Sequence, residues 1–341
     1  MFDVNEKDKR EVDDILLRLG EEGKREISGM NGRENELFKD PFRQQAVQLG
    51  LLAQPSSDFA SSYNVLKEYL MSKRFEGCSN QTLKMYYNTL FNFIEQMDED
   101  ITIFDVKAVD IRSYLMKYQE ERKCSGITID NMRRVFSSFY NWLEVEDYTI
   151  KNPVRKIKKI KTDKTIKKPF SAEELERIKD ACKNYRELAL VEFLYSTGIR
   201  VGELCGLDVA DLNFNTREGI VFGKGAKERI IYFDVKSKVH LIRYINTRVD
   251  SNPALFVTKK YPFNRLEKSG VETIIREIGC RAGVEKCHPH RFRRTFATNL
   301  LDRGVPIEQV QVLLGHTKID TTLLYANVNG QQVKLNHDRF I

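Results

Sequence analysis

Six polar side chains lie in the C-terminal third of this 341-residue chain: Arg200, Lys224, His290, Arg293, His316 and Tyr325. They occupy five segments, TGIRVGEL (197–204), GKGAKERIIY (223–232), HPHRFRRTFAT (288–298), LLGH (313–316) and TTLLYA (321–326). Two arginines, a lysine, two histidines and a tyrosine suit attack on a phosphodiester without a metal. A phosphodiester under attack gains negative charge on its non-bridging oxygens. A guanidinium stays protonated and offers a planar fork of donors that matches two such oxygens. Two forks, from Arg200 and Arg293, could stabilise a pentacoordinate transition state. A tyrosine hydroxyl is a weak nucleophile, with an ordinary pKa near ~10. Neighbouring cations and a histidine base would help it lose its proton. A lysine on a mobile hairpin could protonate a departing sugar 5′-hydroxyl. The resulting phosphotyrosine conserves the energy of the broken bond, so another 5′-hydroxyl can reseal it without ATP.

The order and spacing of these segments resemble the tyrosine recombinase, or phage integrase, family. Arg200 in TGIRVGEL matches the family's first arginine, and Glu203 falls on its usual acidic neighbour. Lys224 follows 24 residues later in GKGAKER, where the family's catalytic lysine lies in a β-hairpin. His290 and Arg293 fit the family's His-x-x-Arg; Arg294 stands where a second histidine is common and receives no catalytic role. His316 in LLGH matches the late histidine, and Tyr325, nine residues on, stands at the nucleophile's usual place. The resemblance spans about residues 60–330. It implies a two-domain DNA clamp: a helical core-binding domain, then a mostly helical α+β catalytic domain with a small β-hairpin or sheet. It implies no metal and no cofactor.

Two other chemistries fail on spacing. A phosphate-binding P-loop needs Gly-x-x-x-x-Gly-Lys-Ser/Thr, and Glu218 and Gly225 occupy the required Gly and Ser/Thr positions. Cys280, Cys287, His288 and His290 lack the paired spacing of a structural zinc site.

Composition fits a nucleic-acid enzyme. The chain is 41% hydrophobic and 31% charged, with a net charge of +7. Residues 1–57 carry nine basic and twelve acidic side chains, which leaves +10 on the remainder. No stretch approaches the ~20 apolar residues of a membrane helix. The N-terminus is acidic and lacks an apolar signal segment. Six cysteines without scaffold spacing read as reduced thiols, so a cytoplasmic, nucleoid-associated bacterial protein is expected.

Four regions are expected to position the six residues. Residues 1–57 form a partly helical appendage, with a helix over 4–19 from the Val12, Ile15, Leu16, Leu19 stripe and a second over 42–52. It reads as a docking appendage or as a protein-contact helix. Residues 58–148 read as a four-helix domain, with helices near 60–73, 80–96, 107–122 and 127–145. Residues 149–168 form a basic linker with nine cations and one acid in 151–168, and Pro153 disfavours helix there. Arg155, Lys156, Lys158, Lys159 and Lys161 are its candidate phosphate contacts.

Residues 169–341 form the catalytic domain. Helices are expected over 172–182, 186–197, 267–282, 290–303 and 306–314, with strands at Ile220–Phe222 and Arg229–Phe233 around the turn that exposes Lys224. Arg265, Lys268 and Ser269 are candidates for base-edge or phosphate contacts, though an ordinary polar helix face reads equally well. The tail over 326–341 reads as a short helix, which in the family often docks on a neighbouring subunit.

The expected activity is site-specific recombination through a 3′-phosphotyrosyl intermediate and a Holliday junction. The expected partners are double-stranded DNA and three further copies in a homotetramer on paired sites, with monomer or dimer when free and an accessory or partner recombinase left open. No membrane is involved. Two rival readings are a type IB topoisomerase and a catalytically silent DNA-binding accessory protein.

Overall fold

The computed structural model describes residues 12–18, 62–97, 101–161, 168–222 and 228–315. The expected helices over 42–52 and 326–341 lie outside them. The chain divides into two compact units, Met1–Lys164 and Thr165–Ile341. The fold is mostly helical, with one small antiparallel sheet.

The first unit is built on α1 (Ser62–Phe75), α2 (Asn80–Ile94), α3 (Ala108–Arg122) and α4 (Gly126–Val145). Ser79 starts α2 by accepting from the Thr82 amide at 3.3 Å, and Ser125 starts α4 by accepting from the Thr128 amide at 3.3 Å. Asp110 closes the first turn of α3 by accepting from the Lys107 amide at 2.7 Å. The aromatics that recur at helical spacing meet in the core. Phe93 stands edge-on to Phe136 at 4.9 Å, and Tyr69 edge-on to Phe139 at 5.1 Å. Each such buried ring removes about 1.5–3 kcal/mol of apolar surface cost from water.

Two segments pack closer than the sequence suggested. The helix over residues 12–18 lies on this bundle: Val12 is buried, Ile15 and Leu16 pack beside it, and Asp13 pairs with Arg74 at 2.6 Å. The start of the basic linker is folded too. Asn152 accepts from the Val154 amide at 2.8 Å, and Pro153 opens a 3-10 turn over Pro153–Lys156. Proline is tolerated there because the first amide of a helix needs no partner. Val154 is buried, and the Ile160 amide reaches Asp130 at 3.3 Å.

The second unit surrounds α6 (Tyr185–Thr197), preceded by α5 (Ala172–Asp180). Leu190, Val191, Phe193 and Leu194 of α6 are fully buried. Around them come α7 (Val201–Gly206), α8 (Val235–Asn246), α9 (Lys268–Arg281), α10 (Pro289–Asp302) and α11 (Ile307–Leu314). The capping box at α5 forms as its sequence predicts, with Ser171 and Glu174 each satisfying the other's amide.

The sheet has order β1 (Leu212–Asn213), β2 (Glu218–Phe222), β3 (Glu228–Tyr232). Ile220 faces Ile230 and Phe222 faces Glu228 across β2 and β3. Strand β1 and helices α7 and α8 were not expected. Strand β1 is too short for a period to show. Helix α8 carries a start signal, Asp234 accepting from the Ser237 amide at 2.8 Å, and buries Leu241 and Tyr244.

Candidate active site

Helix α6 ends at Gly198, whose φ of +57° places it in the left-handed region. A Cβ there would sit 2.5 Å from Phe296 Cδ1, so glycine is required both by backbone and by space. This turn delivers Arg200 as the residue before α7. Glu203, one turn on, accepts from the Arg200 amide at 3.0 Å and from its Nη1 at 2.7 Å.

Helix α10 supplies the second arginine. His288 caps it, its Nδ1 accepting from the Arg291 amide at 3.2 Å, and Pro289 follows. His290 is exposed in the first turn, while Arg293 is only 2% exposed. Arg291 anchors the helix start by pairing with Glu174 at 2.8 Å and lying over the Phe170 ring at 4.1 Å. Arg294 is buried and donates to the Lys168 carbonyl at 3.3 Å.

Three guanidiniums then meet at the end of α11. Arg229 on β3 donates to the Leu313 carbonyl at 2.6 Å, Arg293 to Leu314 at 2.6 Å, and Arg200 to Gly315 at 2.7 Å. Leu313 and Leu314 carry the last carbonyls of the helix, at the negative end of its dipole, and Gly315 is its left-handed cap. Cations from three separate elements satisfy these carbonyls one by one. Arg293 also donates to the Gly198 carbonyl at 2.8 Å, tying α10 to the turn before Arg200.

Glu203 is the shared anchor, with its side chain 3% exposed. Burial pushes its carboxyl up, but Arg229 and then Arg200 more than offset this, so it lies below the usual carboxylate range. The Arg200 side chain, at 38% exposure, is the one of the three that solvent reaches most. Sequence reading missed Arg229. The available signal was its place on β3 beside Ile231 on the inward side, where an arginine is unusual.

The other candidates are placed as follows. Lys224, His316 and Tyr325 lie outside the described residues, so the structure brings together Arg200 and Arg293 of the six. Lys268 is exposed and crosses α7 closely: a Cβ at Gly202 would be 3.0 Å from its Cε. Ser269 is exposed beside it. Arg265 is committed internally, donating to the carbonyls of Cys205 at 3.1 Å and Leu207 at 3.0 Å and pairing with Asp208. It braces the end of α7, because those carbonyls and a carboxylate converge on its fork. In the linker, Arg155, Lys156, Lys158, Lys159 and Lys161 are all exposed, and Arg155 also pairs with Glu144 at 2.5 Å.

Residues 168–332 match the phage integrase family, and residues 65–150 match the phage integrase N-terminal SAM-like domain. Tyrosine recombinase XerA of Pyrococcus horikoshii is 31% identical over 275 residues, which cover 80% of this chain and 91% of that protein. The chain belongs to the phage integrase family. Its enzyme class is that of the tyrosine-type site-specific DNA recombinases. XerC of Staphylococcus aureus, another tyrosine recombinase, is 32% identical over 75% of this chain and 89% of its own length. Among solved structures, the Tn1549 transposon integrase in complex with circular intermediate DNA shares the fold of this recombinase. It has a TM-score of 0.66 and 21% identity, and covers 81% of this chain and 99% of its own. XerH bound to its palindromic difH substrate has a TM-score of 0.63 at 19% identity, with 95% of both chains covered.

Proposed function

We propose that this recombinase exchanges strands between two DNA duplexes by way of Tyr325. What supports this most directly is that Arg200 and Arg293, from different elements, donate to the carbonyls of consecutive residues, Gly315 and Leu314. Donors so close together can serve the oxygens of a single phosphate. The Tyr325 oxygen attacks the scissile phosphorus, and its proton passes to His290. The bond to the 5′-oxygen breaks, and Lys224 protonates that oxygen. Arg200, Arg293 and His316 hold the charge that develops on the phosphate. A 3′-phosphotyrosyl link and a free 5′-hydroxyl remain. The partner strand's 5′-hydroxyl then attacks this link and releases Tyr325, so one phosphodiester is lost and one is made. A first exchange gives a Holliday junction and a second resolves it.

In this reading the chain acts in the cytoplasm, on nucleoid DNA, as a homotetramer on paired sites and as a monomer or dimer when free. The helical first unit serves as core-binding domain. Arg155 and the exposed linker lysines, with Lys268 and Ser269, contact the duplex. A partner recombinase or accessory factor and a mobile-element setting belong to this proposal also.

The test is a plasmid carrying two copies of a site selected by the protein from random-sequence DNA. The expected result is products with exchanged flanks, dependent on both sites and on Tyr325. Relaxation of a supercoiled plasmid that lacks the site, without flank exchange, would contradict the reading in favour of a type IB topoisomerase.

A further inference from the structure

Strand β3 points Arg229 and Ile231 inward and leaves Glu228, Ile230 and Tyr232 exposed. The Arg229 side chain is 11% exposed, and its fork is used in two directions. Towards α7, Nη2 donates to Glu203 Oε2 at 2.7 Å and Nε to Oε1 at 3.5 Å. Towards α11, Nη1 donates to the Leu313 carbonyl at 2.6 Å. The same two carboxylate oxygens accept from Arg200, Oε1 from its Nη1 and Oε2 from its amide. Both arginines therefore hold one buried carboxylate between them. A carboxylate held from two sides has one position, whereas one held from a single side can rotate with its partner.

A second observation points the same way. Gly315 has φ +63°, and a Cβ on it would lie 2.5 Å from Arg229 Cδ. The Arg229 stem thus passes against the backbone of the residue whose carbonyl Arg200 grips. Arg229 contacts the anchor of Arg200 and the chain end that Arg200 holds.

We propose that Arg229 is a positioning residue for strand cleavage: by bridging Glu203 and the Leu313 carbonyl it fixes the Arg200 guanidinium relative to the end of α11. It touches no reacting atom. Its removal leaves DNA binding in place and misaligns the arginine that meets the phosphate. A lysine keeps the charge beside Glu203, but a single ammonium cannot span a carboxylate and a carbonyl in one plane. Arg229→Lys therefore restores part of the alignment, and Arg229→Gln little of it.

This inference rests on the proposed function, so the test separates the two. Full-length wild type, R229K, R229Q and Y325F are compared on a nicked suicide duplex bearing the selected site. Site affinity, thermal midpoint and single-turnover rate of covalent adduct formation are measured for each. The expected result for R229Q is a rate loss of about 100-fold, the scale of a small misplacement at a reacting centre, with site affinity held. R229K is expected to fall between R229Q and wild type. Cleavage by R229Q at the wild-type rate overturns the inference and leaves the function standing. So does a fall in rate that only tracks loss of binding and of folded protein. Should R229Q not fold, folded R229K decides: a slowed rate at unchanged affinity supports the role, and a wild-type rate overturns it. Wild type that forms no Tyr325-dependent adduct overturns the functional reading itself, and the inference with it.

Discussion

The Arg293 guanidinium donates to the Leu314 carbonyl at 2.6 Å, joining α10 to the end of α11. Arg293 is nearly inaccessible, so this bond lies inside the second unit rather than on its surface. Its neighbour on the next carbonyl, Arg200, faces outward. One arginine is therefore buried between α10 and α11, and the other is open to solvent. The last turn of α11 gives both a common reference, and Glu203 fixes the outer one.

Glu203 makes this arrangement pH-dependent. Its folded-state carboxyl lies below the ordinary range, so it contributes stability above the unfolded pKa of about 4.3 and loses it as pH falls through the folded value. Glu203→Gln is expected to destabilise the protein at pH 7 by about 3 kcal/mol, since Arg229 would lose its carboxylate partner. Thermal unfolding at stepped pH checks this. The gap between wild type and variant should narrow below the ordinary carboxylate range. A gap that stays constant down to strong acid would contradict the account.

Gly198 is predicted to be intolerant for two separate reasons, its positive φ and the ring of Phe296. Gly198→Ala should cost at least about 1–2 kcal/mol from the backbone alone. Gly206 is a control, because a Cβ there meets nothing within 4 Å. Thermal unfolding of both variants should show the larger loss at 198; equal losses would refute the spatial argument.

How much of this was legible depends on the length of the signal. The helices α1, α2, α3 and α4 carry long apolar stripes, and α5, α6, α9, α10 and α11 carry caps or glycine stops; their ends fall within a few residues of expectation. Leu212–Asn213 is too short for a period to show, and α8 was passed over although Asp234 marks its start. At the site, Arg200 and Arg293 were named from motif spacing, and the structure brings them to one helix end. Arg229 went unnoticed because motif spacing says nothing of which charges brace which. From the sequence Arg265 is equally a DNA contact or part of an ordinary polar helix face, because a cation at a helix start looks the same whether its acceptors are phosphates or carbonyls. Only packing shows that Cys205, Leu207 and Asp208 hold it.

The exposed linker lysines make a quantitative prediction. If Lys158, Lys159 and Lys161 each neutralise a phosphate, replacing all three by Ala should flatten the dependence of log affinity on log salt by about 2.7. Binding measured from low to moderate salt checks this, and sequence preference should not change. An unchanged slope would remove these residues from the interface.

The thiols should separate by burial. Cys280 is exposed, whereas burial pushes Cys182 and Cys287 up to about 12 and Cys205 to about 11. An alkylating reagent at neutral pH should modify Cys280 in the folded protein and reach the other three only on unfolding. Peptide mass spectrometry reads the order. Early modification of Cys287 would mean that the packing around Gly279 is looser than described.

The most direct test of the central claim is covalent capture. Wild type and Tyr325→Phe are incubated with nicked suicide duplexes carrying the selected site and resolved on a denaturing gel, and the adduct is mapped by mass spectrometry. A shifted protein–DNA adduct is expected for wild type alone, with the DNA on Tyr325 through a 3′-phosphate. An adduct that survives Tyr325→Phe, or that maps to another residue, would contradict that claim.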